Sequence, residues 1–405
     1  MSGAGANGSA GPRAKETMRF EFATAARILF GPGTVREVAS LSAEMGKMAC
    51  VVTGRSAERA ELLLELLRKQ GIDHVIFSVA GEPTTALAKE GVELARRAAC
   101  GFVVSIGGGS VMDTGKVIAA MLANDGQLEE YLEVVGAGRP LLHSAAPHIA
   151  IPTTAGTGAE VTRNAVLSVP EHRVKVSMRS PLMLPRLAVV DPELTYSMPP
   201  AITASTGLDA LTQLVEVYVC NNANPLTDGL CREGLRRAGR SLRRACENGN
   251  DPIAREDMAL ASLLSGLGLA NAGLGAVHGL ASVLGGMLGA AHGAVCARLL
   301  PFVMEANVQA LRRRKTSSSA LARYDEAARV LTGKPAALAT EAVAWVHDLC
   351  SALRVPSLAQ LGLKEQDFAV IAAKARKSSS MKGNPIELTD DELLEIVRRA
   401  NRQTA

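Results

Sequence analysis

Aromatic residues are scarce in this chain of 405 residues: they make up 3%, with a single tryptophan. Proteins that grip single-stranded nucleic acid stack bases on such rings, so that class is disfavoured. No basic block compensates. The net charge of +4 is thinly spread, and the densest Lys/Arg stretch, residues 235–244, has the spacing of a solvated helix face. No CxxC pair occurs among the seven cysteines, and their odd number argues against a disulfide framework. Reduced thiols in a cytoplasmic protein are the expectation. The N-terminus has no apolar core of the signal-peptide kind. Residues 1–17 are small and polar, and a disordered tail is expected there.

One stretch lacks charge altogether. Between Asp257 and Arg298 there is no Asp, Glu, Lys or Arg. Such a run is buried either in a membrane or in protein. A span needs about 20 strongly apolar residues. This run is broken by Gly266, Gly268, Asn271, Gly273, Gly275, His278, Gly279 and Gly285. Asn and His are costly in lipid, so buried helices of a soluble protein are expected, with no membrane partner. The run also holds His278 and His292, and a buried imidazole needs a partner.

The chain is too long for one ordinary core, so two domains are expected. Over residues 18–197, short apolar runs (27–33, 48–54, 74–79, 101–106) alternate with helical stretches (56–71, 84–99), and further strands fall within 148–162 and 187–194. That order predicts a parallel sheet with right-handed crossovers, a Rossmann-like α/β domain. After Pro199-Pro200, residues 198–405 have helical periodicity almost throughout. An all-α second domain is expected.

Four segments carry polar groups of chemical interest. GGGSVMDTGK (107–116) follows a strand and opens a helix, where free N–H groups and the helix dipole suit a phosphate. It matches neither the Walker A loop nor GxGxxG. The bland reading is a strand–helix turn with Ser110 as N-cap and Asp113 three residues on. PTTAGTGAEVT (152–162) offers Thr153, Thr154 and Thr157 at a second strand end; Thr157 and Glu160 also have capping-box spacing. Ligands bind at the carboxyl ends of strands in such sheets, so two polar turns there weigh more than one. In residues 205–218, Asp209 and Gln213 share a helix face, and Glu216 follows less closely. They are either metal donors or a hydrogen-bonded pair on a solvated face. His278 and His292, 14 apart, must be brought together by two helices; His74, His143, His148, His172 and His347 lie beside charged or loop sequence and receive no role.

With these segments placed, the chain resembles the iron-activated (group III) alcohol dehydrogenases of the dehydroquinate synthase-like superfamily. The resemblance rests on FGPG (30–33), GGGSVMD (107–113), IPTTAGTGAEVT (151–162), DPELTYSMPP (191–200), TGLDAL (206–211), ANPLTDGL (223–230), VHG (277–279), AHG (291–293), LLPFVMEAN (299–307) and Asn384-Pro385. It covers about residues 20 to 400, in order. It implies a dinucleotide-binding domain, a helical domain and a cleft that holds cofactor and metal. By position, the diphosphate lies on Gly107, Gly108, Gly109 and Ser110. Thr153, Thr154, Thr157 and Lys175 line the cofactor, with Asp113 near the nicotinamide side. The family's metal ligands are one Asp and three His. Asp209, His278 and His292 match three of them, and Gln213 stands at the fourth.

Two further departures follow from the same comparison. Ser282 stands where many family members have a proton-relaying His, and a hydroxyl does not titrate near neutrality. The first Rossmann-like strand ends in Gly54-Arg55, where NAD-selective relatives carry an Asp; this tilts the expectation towards NADP over NAD. The amide at Gln213 leaves three outcomes open: a weakened Fe2+ or Zn2+ site, a different metal, or none. The function implied is hydride transfer between a nicotinamide and a small alcohol, aldehyde or ketone, with Asp209, His278, Ser282 and His292 as the catalytic set, in a homodimer or larger homo-oligomer. One alternative is a metal-independent reductase resembling the maleylacetate reductases, whose sequence VLGG (283–286) is similar to. A second is a dehydroquinate-synthase-like lyase or an inactive nucleotide-binding protein.

Overall fold

The computed structural model describes residues 18–172 and 174–403; the tail expected at 1–17 lies outside them. In the first half, strands β1 (Ile28–Phe30), β2 (Met48–Thr53), β3 (Asp73–Ser78), β4 (Phe102–Gly107), β5 (His148–Pro152) and β8 (Leu187–Val190) form one sheet in the order β1-β8-β5-β4-β2-β3. Every pairing is parallel. Strands β4, β5 and β8 are buried along their whole length, which explains their nearly continuous apolar sequence. Helices α1 (Val38–Ser42), α2 (Glu61–Lys69), α3 (Thr85–Arg97), α4 (Gly109–Ala123) and α5 (Leu128–Tyr131) make the crossovers. Thr84 caps α3 by accepting from the Leu87 amide, and basic residues close the last turns of α2 and α3.

The sequence reading did not contain an antiparallel hairpin of β6 (Asn164–Val169) and β7 (Val174–Arg179). Its signal was an alternation: Ala165, Leu167 and Val169 point inward, as do Val176 and Met178. The hairpin packs on α4.

From Pro200 onward the chain is helical: α6 (Pro200–Val219), α7 (Pro225–Glu247), α8 (Pro252–Asn271), α9 (Ala276–Leu288), α10 (His292–Arg314), α11 (Ser319–Thr332), α12 (Ala339–Ala352), α13 (Phe368–Arg376) and α14 (Asp390–Asn401). The first three begin with Pro at N1, where the missing N–H costs no bond, and Asn224 and Asp251 cap α7 and α8. Helices α8 and α9 meet at a 97° bend. The uncharged run thus becomes the second half of α8, α9 and the start of α10. Helix α10 has the length and hydropathy of a membrane span, but 78% of its apolar window is buried against other helices.

Candidate functional site

The nucleotide side is built from strand ends. Helix α4 starts immediately after β4, with Gly108 as its N-cap; Ser110 lies inside the first turn, so it is not the cap that its sequence position suggested. A cavity of about 310 Å³ opens here, lined by Thr53, Gly54, Arg55, Ser56, Arg59, Gly107, Gly108, Thr153 and Thr154 among others. Free amides at a helix start beside two arginines make an anion cradle. Arg55 is exposed and reaches Ala80 O at 3.4 Å. Arg59, which the sequence reading passed over, is one turn further along. A second cavity of about 320 Å³ is lined by Phe368, Leu394 and Arg398 among others.

Asp113 is bonded inward: its Oδ2 accepts from the Val166 amide at 3.0 Å, and Lys116 Nζ stands 3.4 Å from its Oδ1. Lys116 is fully buried and also donates to Thr162 Oγ1 (2.8 Å) and Asn164 O (2.7 Å), pinning the hairpin to α4. Burial raises the Asp113 carboxyl above its ordinary value against the pull of Lys116, and burial lowers Lys116. The capping box expected at Thr157 and Glu160 does not form. Gly158, in the left-handed region at φ +61°, precedes a short 3-10 turn, and Glu160 is buried, its carboxyl pushed up to about 7 by desolvation. A Cβ at Gly158 would stand 2.5 Å from Gly266 Cα, so the loop lies directly on α8. Lys175 is held at 2.8 Å by Glu82 and lies beside Gly285 of α9.

The loop 153–158 also reaches the second cluster. Ser265 Oγ on α8 is 3.4 Å from Gly156 O and donates to Gln213 Oε1 on α6 at 2.8 Å. One turn earlier on α6 lies Asp209, 2% exposed, so the Asp209/Gln213 face is not solvated. His278 in the first turn of α9 and His292 at the start of α10 bring their rings to 5.5 Å, centroid to centroid. Gly293 permits this, since a Cβ there would lie 2.4 Å from Ser205 O of α6. His278 Nε2 is 3.5 Å and His292 Nε2 3.9 Å from Asp209 Oδ1. Cys296, one turn after His292, completes a group of four whose donor atoms all lie within 4.8 Å of one another. The Gln213 oxygen accepts from Ser265 Oγ at 2.8 Å.

Glu216 orders the cluster. Its Oε2 accepts from His278 Nδ1 and its Oε1 from the Val277 amide, both at 2.6 Å. That orients the His278 ring and turns Nε2 towards Asp209. Asp209 Oδ1 and His278 Nε2 are buried without a hydrogen-bond partner. Two orphaned donors facing two more fit a divalent cation. Without it, burial lowers the affinity of His278 for a proton, yet Cys296, Glu216 and Asp209 outweigh it and the pKa is raised well above 6.5. His292 is raised too, by Cys296 first and Asp209 next, against burial. Burial pushes the Asp209 carboxyl up, but His292 and His278 bring it below its usual value. His292 is a third exposed and is the open side of the cluster.

Ser282 is exposed, and its hydroxyl donates to Gly279 O at 3.0 Å. His148, which the sequence reading set beside loop sequence, is buried in β5 against Ser105. Two groups went unnoticed as donors or supports. Cys296 was legible as the i+4 neighbour of His292 in HGAVC, which puts both on one helix face. Lys116 was read only as a failed Walker lysine.

Comparison with known proteins follows the same division of the chain. The family description "Iron-containing alcohol dehydrogenase" matches residues 25–192, and "Fe-containing alcohol dehydrogenase family, C-terminal" matches residues 203–401. Alcohol dehydrogenase 4 of Schizosaccharomyces pombe is 37% identical over 378 residues, covering 92% of this chain and 87% of that protein. The 1,3-propanediol dehydrogenase of Klebsiella pneumoniae is 36% identical over 380 residues, covering 92% and 96%. The crystal structure of a 1,3-propanediol oxidoreductase superposes with a TM-score of 0.88 at 34% identity, over 95% of this chain and all of that one.

Proposed function

Since the chain belongs to the iron-containing alcohol dehydrogenase family, we propose that its cleft moves a hydride between NADP(H) and a small alcohol, aldehyde or ketone, beside a divalent metal. The observation that carries the metal is the pair of orphaned buried atoms, Asp209 Oδ1 and His278 Nε2, converging with His292. Asp209, His278 and His292 would hold the cation, which would supply Lewis-acid polarisation of a substrate oxygen. The nicotinamide is the hydride carrier.

The chain's own residues then bind and orient. The amides of Gly108, Gly109 and Ser110 at the start of α4 receive the diphosphate, favoured by the helix dipole. Thr153, Thr154 and Thr157 flank it, and Asp113 acts through the hairpin it anchors. Lys175, tethered to Glu82, contributes positive charge next to α9. Glu216 holds the His278 ring through Nδ1, with Nε2 turned towards Asp209. For Ser282 to pass a proton to water, its hydroxyl must first rotate off Gly279 O. The preference for NADP over NAD rests on Arg55 and Arg59 beside a cavity with no carboxylate among its lining residues. The compartment proposed is the cytoplasm, in keeping with seven free, buried cysteines, and the assembly a homodimer or larger homo-oligomer.

A single experiment covers both halves. Oxidation of NADPH and NADH is followed with a panel of aldehydes, in the metal-loaded and chelator-treated enzyme and in Arg55→Ala. A charge-assisted bond to the 2′-phosphate is worth about 1.5–3 kcal/mol. Arg55→Ala should therefore lose roughly 10- to 150-fold in kcat/KM with NADPH, and little with NADH. Equal losses with both would defeat the NADP assignment. Full activity after complete metal removal would defeat the metal-assisted mechanism.

A further inference from the structure

The proposed mechanism needs a metal site, and the structure points to an unexpected donor for it. We propose that Cys296, and not Gln213, is the fourth metal ligand, so that the centre is an Asp209–His278–His292–Cys296 set suited to a sulfur-tolerant ion such as Zn2+. This inference rests on the metal-dependent reading above and specifies its ligands.

Three observations support it. Cys296 and His292 are i and i+4 on α10, with Sγ and Nε2 3.5 Å apart. The other two measured edges of the cluster are 3.5 and 3.9 Å, and no donor pair exceeds 4.8 Å. Bond lengths of about 2.0–2.3 Å to a tetrahedral cation require donors roughly 3.3–3.8 Å apart, so the four atoms need only a small contraction. Second, the two atoms with no partner, Asp209 Oδ1 and His278 Nε2, belong to this group. Third, Gln213 Oε1 already accepts from Ser265 Oγ at 2.8 Å.

The exchange has a consequence for metal choice. Three imidazoles and a carboxylate accept Fe2+ readily. A thiolate shifts the preference towards Zn2+ or Co2+ and away from Mg2+ or Mn2+.

The test uses the full-length enzyme stripped of metal and titrated with Co2+, with absorption read in the near ultraviolet, where only a thiolate ligand gives a charge-transfer band. The band should appear at one equivalent in the unmodified enzyme and in Gln213→Ala, and vanish in Cys296→Ser and Cys296→Ala. Zn2+ affinity, measured by competition with a chromophoric chelator, should fall by more than about 100-fold in the Cys296 variants, beyond the loss usual for an outer partner. In Gln213→Ala it should fall by no more than the roughly 10- to 100-fold typical of an outer partner. Zinc K-edge absorption of the unmodified enzyme should show one sulfur at about 2.3 Å; it needs no variant and so does not depend on how the variants fold. Stoichiometric Co2+ without the band, a band that survives in Cys296→Ser, or an equal affinity loss in Gln213→Ala would each overturn the assignment and leave the metal-dependent reading standing. Failure of the unmodified enzyme to bind Co2+ or Zn2+ at all would overturn both.

Discussion

His148 gives a prediction whose size follows from its surroundings. It opens β5, is 2% exposed, and has Nε2 2.9 Å from Ser105 Oγ on β4, while Nδ1 has no partner. Burial, with Lys116 adding to it, lowers its pKa from 6.5 to about 3. The unfolded chain therefore takes up a proton below pH 6.5 that the folded chain refuses until about pH 3. The stability His148 contributes is complete above pH 6.5 and is lost as the pH falls towards 3. Each pKa unit is worth about 1.4 kcal/mol, so the loss is roughly 2 kcal/mol at pH 5 and about 5 kcal/mol when complete. Glu160 works the other way. Its carboxyl is raised from 4.5 to about 7, so its contribution grows as the pH falls through that window. The two slopes partly cancel in the wild type, and the informative quantity is a difference. In His148→Gln, which keeps a polar group towards Ser105 and does not titrate, urea unfolding should be followed by circular dichroism at pH 7.5, 6 and 5. Relative to wild type, the variant should gain about 2 kcal/mol between pH 7.5 and pH 5. Parallel pH profiles for the two proteins would refute the reasoning, because they would mean that His148 is not held neutral by burial.

Lys116→Met should cost about 3–5 kcal/mol, since it leaves Asp113 buried without its cation; a melting temperature near that of wild type would contradict it. Glu216→Gln should weaken metal binding by roughly 10- to 100-fold, because the amide cannot accept from both the Val277 amide and His278 Nδ1; chelator competition measures it. Gly266→Ala would put a Cβ 2.3 Å from Gly158 O, push the 153–158 loop off α8, and cost about 1–3 kcal/mol. Its KM for the nicotinamide should rise more than its KM for the aldehyde, and an unchanged ratio would argue against a cofactor role for that loop.

How much of this was legible in the sequence depends on range. The parallel sheet was legible because strand burial on both faces writes continuous apolar runs such as 102–106, and helix starts are marked by Pro200, Pro225 and Pro252. The hairpin at 164–179 was missed, although its alternation is local, because the turn between its strands holds charged residues rather than Gly or Asn. His278 and His292 were legible from the absence of charge around them, which forces any imidazole there to find a partner. Cys296 was hidden by its own chemistry: a scattered cysteine with no CxxC reads as an inert thiol, and only its place four residues after His292 says otherwise.

Gln213 shows where local reading must stop. Its i+4 spacing from Asp209 does put both on one face of α6. A face, however, says only which neighbours a side chain can reach, and its choice among them is made by residues far away in sequence. Ser265, 52 positions on, competes for the Gln213 oxygen and holds it at 2.8 Å. The same hydroxyl lies 3.4 Å from Gly156 O, on the loop whose threonines line the nucleotide cavity. The position that the family resemblance assigns to a metal ligand therefore accepts, in this chain, a hydrogen bond from Ser265 of α8, a residue that also lies against the cofactor loop.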